Sequence, residues 1–68
     1  MPNSHNVALK CVYQNSLSIT DSLRLLESDL NGRGIVLSDM AAAWMYAAYE
    51  SVANIQEAVE AVIPPEEL

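Results

Sequence analysis

Between Ala41 and Val62 the apolar residues Ala41, Met45, Ala48, Val52, Ile55, Val59 and Val62 follow one another at spacings of 4, 3, 4, 3, 4 and 3. This is a heptad-like seam, the pattern by which an α-helix keeps one line of side chains turned toward a packed neighbour. The ends of the helix are marked as well. Ser38 can cap its start by accepting from an orphan N–H, and Asp39 falls in the first turn, where the helix dipole favours negative charge. Leu37, just before the cap, can staple against the next turn. Pro64-Pro65 stops the helix, because proline lacks the N–H that would continue it. The spacing therefore predicts a helix over 39–63. Its first half is rich in alanine (Ala41, Ala42, Ala43, Ala47, Ala48), which lets another helix approach closely. Its second half is β-branched and wider, with Glu50, Asn54, Gln56, Glu57 and Glu60 on the other side.

The first half of the chain is also helical in pattern. Val12, Ile19, Leu23, Leu26 and Leu30 share one face, and Leu9 and Ser16 complete the stripe. Gln14-Asn15-Ser16 and Ser18-Ile19-Thr20 are poor helix-interior residues. Ser18 with Asp21, or Thr20, can cap a fresh start. A short helix near 6–14 and a second over 19–31 are therefore expected, although one long helix over the same span is also compatible with the stripe. Asn31-Gly32-Arg33-Gly34 ends the second helix, since glycine takes the left-handed conformation without a Cβ clash. An Asn-Gly pair can also mark a β-turn, but no strand precedes it to match Ile35-Val36-Leu37. Residues 32–37 read as a loop. The expected fold is all-α, a small helical bundle: an antiparallel helical hairpin of 19–31 and 39–63 with a short N-terminal helix against it. It is a single domain over 1–68, frayed at 1–5 and 64–68.

A chain of 68 residues buries only about 60% of the surface its unfolded form exposes. Large apolar residues are few, with no Phe, one Trp and three Tyr. Such a thin core ordinarily calls for a staple. Cys11 is the only cysteine, so an internal disulfide is impossible. With His5 the only histidine, a Cys/His zinc site is out of reach too. Self-association or a larger partner is the remaining route to stability. Cys11 reads as a small buried hydrophobe, because Lys10 alone is weak support for a reactive thiol. A lone cysteine fits a reducing compartment. Met1-Pro2-Asn3-Ser4-His5 has neither the basic nor the apolar region of a secretory signal. The uncharged run from Met40 to Tyr49 is far short of the ~20 residues that span a bilayer. A cytoplasmic location without membrane contact is expected.

Charge is distributed unevenly. Up to Gly34, Lys10, Arg24 and Arg33 offset Asp21, Glu27 and Asp29. From Ile35 onward Asp39, Glu50, Glu57, Glu60, Glu66 and Glu67 face no Lys or Arg, so the whole net charge of −6 lies in the second half. Such a surface repels phosphate backbones and anionic membranes. It attracts basic surfaces, including grooves built to hold nucleic acid, and it also serves simple solubility.

Catalytic machinery is missing from the pattern. Glu57 and Glu60 are neighbours on one helix, but the Glu-x-x-His motifs of a di-metal bundle are absent, and a solvated face accounts for the pair. His5 has no third group to hold it as the base for a serine nucleophile. The two glycines are not followed by the Gly-Lys-Ser/Thr of a phosphate loop. No enzyme activity, cofactor or metal is expected, and direct nucleic-acid binding is not expected, because no basic stripe accompanies the aromatics. Met40, Trp44, Met45, Tyr46 and Tyr49 make the first half of the last helix apolar around most of its circumference. Either this is an anchoring patch for a partner, or the N-terminal helix and Ile35-Val36-Leu37 cover it. The candidate partner-binding residues are Asp39, Glu50, Glu57 and Glu60 for charge, with Trp44 and Tyr49 for buried anchor area.

A small, acidic, all-helical chain without a chemical motif resembles the inhibitors encoded by bacteriophages and mobile elements, in particular anti-CRISPR proteins aimed at type I surveillance complexes. The resemblance rests on size, charge and helical character over the whole chain; it involves no shared motif and carries over no residue. It implies a non-enzymatic inhibitor or adaptor that docks on a basic surface of a nucleic-acid-processing complex, since several such inhibitors place carboxylates where nucleic acid would bind. The alternative is a small homo-oligomeric helical subunit of a bacterial regulatory assembly, for instance a homodimer, with the 41–62 seam as its interface.

Overall fold

The computed structural model describes residues 4–68 and contains two helices, α1 (Ser4–Gly32) and α2 (Asp39–Glu60), followed by a single 3-10 turn, Pro65–Glu67. The helices pack antiparallel as a hairpin. At ~1.5 Å per residue they are roughly 43 and 33 Å long, which makes the molecule a rod of 51 × 19 × 17 Å. Its radius of gyration is 15.2 Å, against roughly 11 Å for a compact domain of this length. No helix among the described residues is long and apolar enough to cross a membrane.

The all-α hairpin is the expected architecture, but the separate helix over 6–14 and the break before Ile19 are not seen: 4–32 is one continuous helix. The hydroxyls that were expected to interrupt it are turned back onto it. Ser16 Oγ donates to the Tyr13 carbonyl at 2.6 Å, Ser18 Oγ to Gln14 at 3.3 Å and Thr20 Oγ1 to Ser16 at 3.1 Å. A hydroxyl satisfied by the carbonyl three or four residues earlier no longer competes with the helix for backbone groups. The same stretch is tied to α2, where Gln56 Nε2 donates to Thr20 Oγ1 at 3.4 Å and the Tyr13 hydroxyl donates to Glu60 Oε1 at 3.1 Å.

The reversal between the helices is made by two local motifs. At the end of α1 the Ile35 N–H bonds to the Leu30 carbonyl at 2.9 Å and the Gly34 N–H to the Asn31 carbonyl at 3.1 Å. Gly34 sits between them at φ +70. This pair of bonds is the Schellman motif, and its left-handed residue is Gly34 rather than Gly32. Four residues later Ser38 takes an extended conformation, and its hydroxyl accepts from the Ala41 N–H at 3.1 Å, with Asp39 in the first turn. Leu37 is half-buried in the same cleft as Ala42, the position that a staple would use.

At the far end α2 stops at Glu60, slightly before the expected 62–63. Proline disfavours the helical conformation in the residue before it, which is Ile63. The chain leaves the helix through a turn in which the Ile63 N–H reaches the Val59 carbonyl at 2.8 Å. That turn folds the Ile63 side chain into the hairpin, where it is 1% exposed. Beyond it Pro65–Glu67 form the 3-10 turn, and Leu68 is half-buried. Of the expected ragged start, residues 1–3 lie outside the described residues, and 4 and 5 open α1.

The buried interior is small. Among the described residues only Val52, Val59 and Ile63 are buried apolar side chains, and Ser16 is the one buried polar residue. The hydrogen-bonded pairs 13–60 and 20–56 set a register that brings Ser16 opposite the turn bearing Val59. A small residue there lets the helices approach closely.

The turn geometry separates the two glycines. Gly34→Ala is expected to lower stability by about 1–2 kcal/mol, because a Cβ is strained in the left-handed region even where space is open. Gly32→Ala, in helical backbone with nothing near its Cβ position, is expected to raise stability by about 0.4–1 kcal/mol. Urea unfolding of both variants at one protein concentration checks the opposite signs.

Candidate protein-binding surfaces

An α-helix turns about 100° per residue, so side chains 7 or 11 apart return to one line. On α2 that rule lines up Asp39, Tyr46, Glu50 and Glu57, at spacings of 7, 4 and 7, with Glu60 one turn beyond. All five are exposed. Four of the six candidate residues thus form one acidic flank, and no Lys or Arg interrupts it anywhere on α2.

The two aromatic candidates are not on that flank. Trp44 is 68% exposed, but it lies roughly 120–160° around the helix from Glu50, Glu57 and Glu60. Tyr49 is half-buried beneath the loop. An open cleft of about 460 Å³ is lined by Glu27, Leu30, Ile35, Leu37, Met45, Tyr46 and Tyr49 among others. The loop therefore covers Met45 and Tyr49 and leaves Met40, Trp44 and Tyr46 exposed. The aromatic that does accompany the carboxylates is Tyr46, 72% exposed. The sequence contained the signal for it, the i, i+4 relation of Tyr46 to Glu50 and the seven-residue step from Asp39.

Two tyrosines feel the carboxylates of the facing helix. The hydrogen bond from Tyr13 to Glu60 is the main cause that holds the Tyr13 pKa above its ordinary value, with burial and the Glu60 charge adding to it. Tyr49 is raised first by burial and then by the Glu27 charge, against an opposing effect of Arg24. The Glu27 carboxylate approaches the Tyr49 hydroxyl without closing a hydrogen bond, so that hydroxyl is buried and unpartnered. Glu60 consequently has two duties, as part of the acidic flank and as the acceptor that ties α2 to Tyr13.

No family model, curated protein or solved structure matches this chain. What it can do is read from its surfaces. Among the described residues no group of three or more His, Cys, Asp or Glu is placed to hold a metal ion. Cys11 is exposed, which corrects its assignment as a buried hydrophobe: it lies on the side of α1 turned away from α2, where no neighbour covers it. The remaining ion pair, Arg33 Nε to Asp29 Oδ1 at 3.1 Å, is an exposed i, i+4 contact beside the turn, of a kind that contributes only about 0.3–0.5 kcal/mol.

The raised tyrosines fix a sign for the pH dependence. The folded state holds the phenol protons more tightly than the unfolded state, so the associated stability is complete below pH ~10. It is lost as pH rises through the raised folded values. Tyrosinate absorbance is expected to show Tyr13 and Tyr49 ionising late in the folded protein. The double variant Tyr13→Phe, Tyr49→Phe should lose both late transitions, and its stability should fall less steeply above pH ~10 than that of the parent. Late transitions that persist in the variant would show that other groups cause them.

Proposed function

We propose that this protein is a non-enzymatic binding module that docks its acidic α2 flank on a basic surface of a larger protein complex. The observation that supports this is the single exposed line Asp39–Tyr46–Glu50–Glu57, with Glu60 beside it, on a helix without cations. A row of carboxylates around one exposed tyrosine combines the two elements that protein recognition uses. Charge sets the encounter rate and the register, while the ring supplies a rigid amphipathic anchor. The partner it fits is a groove lined with Lys and Arg. A nucleic-acid-processing complex presents such a groove, and the type I surveillance complex to which the sequence resemblance leads is one instance. Docking there would block the groove by occupying the positions that phosphates take, and would act as inhibition without chemistry.

In this arrangement Tyr46, not Trp44, is the anchor, and Tyr49 acts by positioning the loop against α2. Glu50 and Glu57 are the cleanest probes of the flank, since Glu60 also serves the Tyr13 contact. A tagged pull-down from bacterial lysate, with the bound proteins identified and the wash repeated at high salt, is the test. Proteins held through the flank are expected to release in salt and to be lost with Glu50→Lys, Glu57→Lys or Tyr46→Ala, while far-UV circular dichroism stays unchanged. Equal recovery by the parent and the charge-reversed variant at low salt would overturn the proposal.

A further inference from the structure

Each helix carries an apolar seam wider than its partner covers, and both seams are off-centre in the same direction. In α1 the line Leu9, Ser16, Leu23, Leu30 faces α2 and is buried or half-buried, while Val12, Ile19 and Leu26, each three residues further on, remain 45–48% exposed. In α2 Met45, Val52 and Val59 face α1, while Ile55 and Val62, again three residues further on, are 40% and 64% exposed, next to Trp44. A step of three residues turns a line about 60° backward around the helix. Because the helices are antiparallel and face each other, that turn carries both lines to the same side of the hairpin.

The other side is occupied by polar contacts, Tyr13 with Glu60 and Thr20 with Gln56. The seams are thus centred roughly 30° away from the line joining the two helices, toward the uncovered side. For a helix with one neighbour this offset wastes half the seam. For a helix at the corner of a square, with two neighbours at right angles, it is where the seam belongs.

We infer that two copies of this chain pack their Val12–Ile19–Leu26 and Ile55–Val62–Trp44 faces together to form a two-fold four-helix bundle. The inference goes beyond the acidic flank and does not depend on it, since the two surfaces are different sides of α2. Four observations favour a second copy as the occupant. The face is nearly free of charge although the chain carries −6; the Asp29–Arg33 pair lies at its edge, where the two charges offset each other. Ala41, Ala47, Ala48, Ser51 and Ala58 keep it shallow, so a helix of equal shape can come close. Its exposed apolar area is several hundred Å², on the order of the ~800 Å² per partner that a standard interface buries. Finally, the three buried apolar residues among those described are too few to hold a 68-residue chain folded. The partner that completes the core has to be present wherever the chain is, and only another copy always is. Apolar side chains elsewhere, such as Leu17 and Leu25, are scattered singly and need no partner.

The test is sedimentation equilibrium of the full chain from high micromolar to nanomolar concentration, with helicity followed in parallel. A dimer whose melting temperature falls on dilution is expected. Ile19→Glu with Ile55→Glu, at positions partly exposed in a lone hairpin, should raise the dissociation constant at least ~30-fold and lower helicity at dilution. Leu17→Glu with Tyr46→Glu, equally surface-borne but on the opposite side, should leave the dimer intact. A monomer that stays folded at high micromolar concentration would overturn the inference. So would a dimer that tolerates the Ile19/Ile55 pair, or one that is broken by the Leu17/Tyr46 pair.

Discussion

A helix can turn only one line of side chains directly at a single neighbour, and both helices here carry two. The lines that meet are Leu9, Ser16, Leu23 and Leu30 against Met45, Val52 and Val59. Rotating each helix to centre its seam would bury Val12, Ile19, Leu26, Ile55 and Val62 more deeply. It would also pull Tyr13, Thr20, Gln56 and Glu60 out of contact. The hairpin keeps those polar contacts and leaves the second lines in solvent. Exposed apolar area costs about 25 cal/mol per Å² left unburied, so this rotation is economical only where something else covers the second lines. The division of α2 into an acidic flank and an apolar one follows from the same rotation.

The turn determines which side of α2 is covered. Gly34 reverses the backbone, Ser38 restarts it, and the residues between them are laid over Met45 and Tyr49. Trp44, one residue before Met45, is left outside because a single residue is 100° of helix. Val36 at the tip of the loop is 92% exposed, so the loop closes the Tyr49 side only with Ile35 and Leu37. The buried, unpartnered Tyr49 hydroxyl is the cost of laying an apolar loop against an amphipathic ring.

Much of the fold was legible in the sequence, for reasons that can be named. The 41–62 seam, the Ser38 cap, the proline stop and the glycine pair are local signals, and each produced the element it announces. The break expected near residues 14–19 was not there, because propensity penalises Ser and Thr as if their hydroxyls were free. Here they are satisfied by the helix itself and by Gln56. Of the candidate site, the carboxylates were chosen from the charge distribution alone, and they do share a line. Trp44 and Tyr49, chosen by residue type, lie off that line, and the aromatic residue that shares it is Tyr46. Cys11 was read as buried from residue statistics, which take no account of a helix whose outer side has no neighbour. How far the seams would be rotated away from each other depends on tertiary contacts such as Tyr13–Glu60, which no local window contains.

The hydrogen bonds across the hairpin span very different lengths of chain. Near the turn, residues 30 and 35 are joined directly; Thr20 and Gln56 are 36 residues apart, and Tyr13 and Glu60 are 47. Loop closure costs least next to the reversal and more with each step outward. A chain built this way zips from Gly34 toward its open end, each rung shortening the loop that the next must close. It opens in the reverse order, and the first rung released is the Tyr13–Glu60 contact beside Ile63. By that loop-closure argument Ile63, the most deeply buried apolar residue among those described, sits at the end of the rod that is last to close.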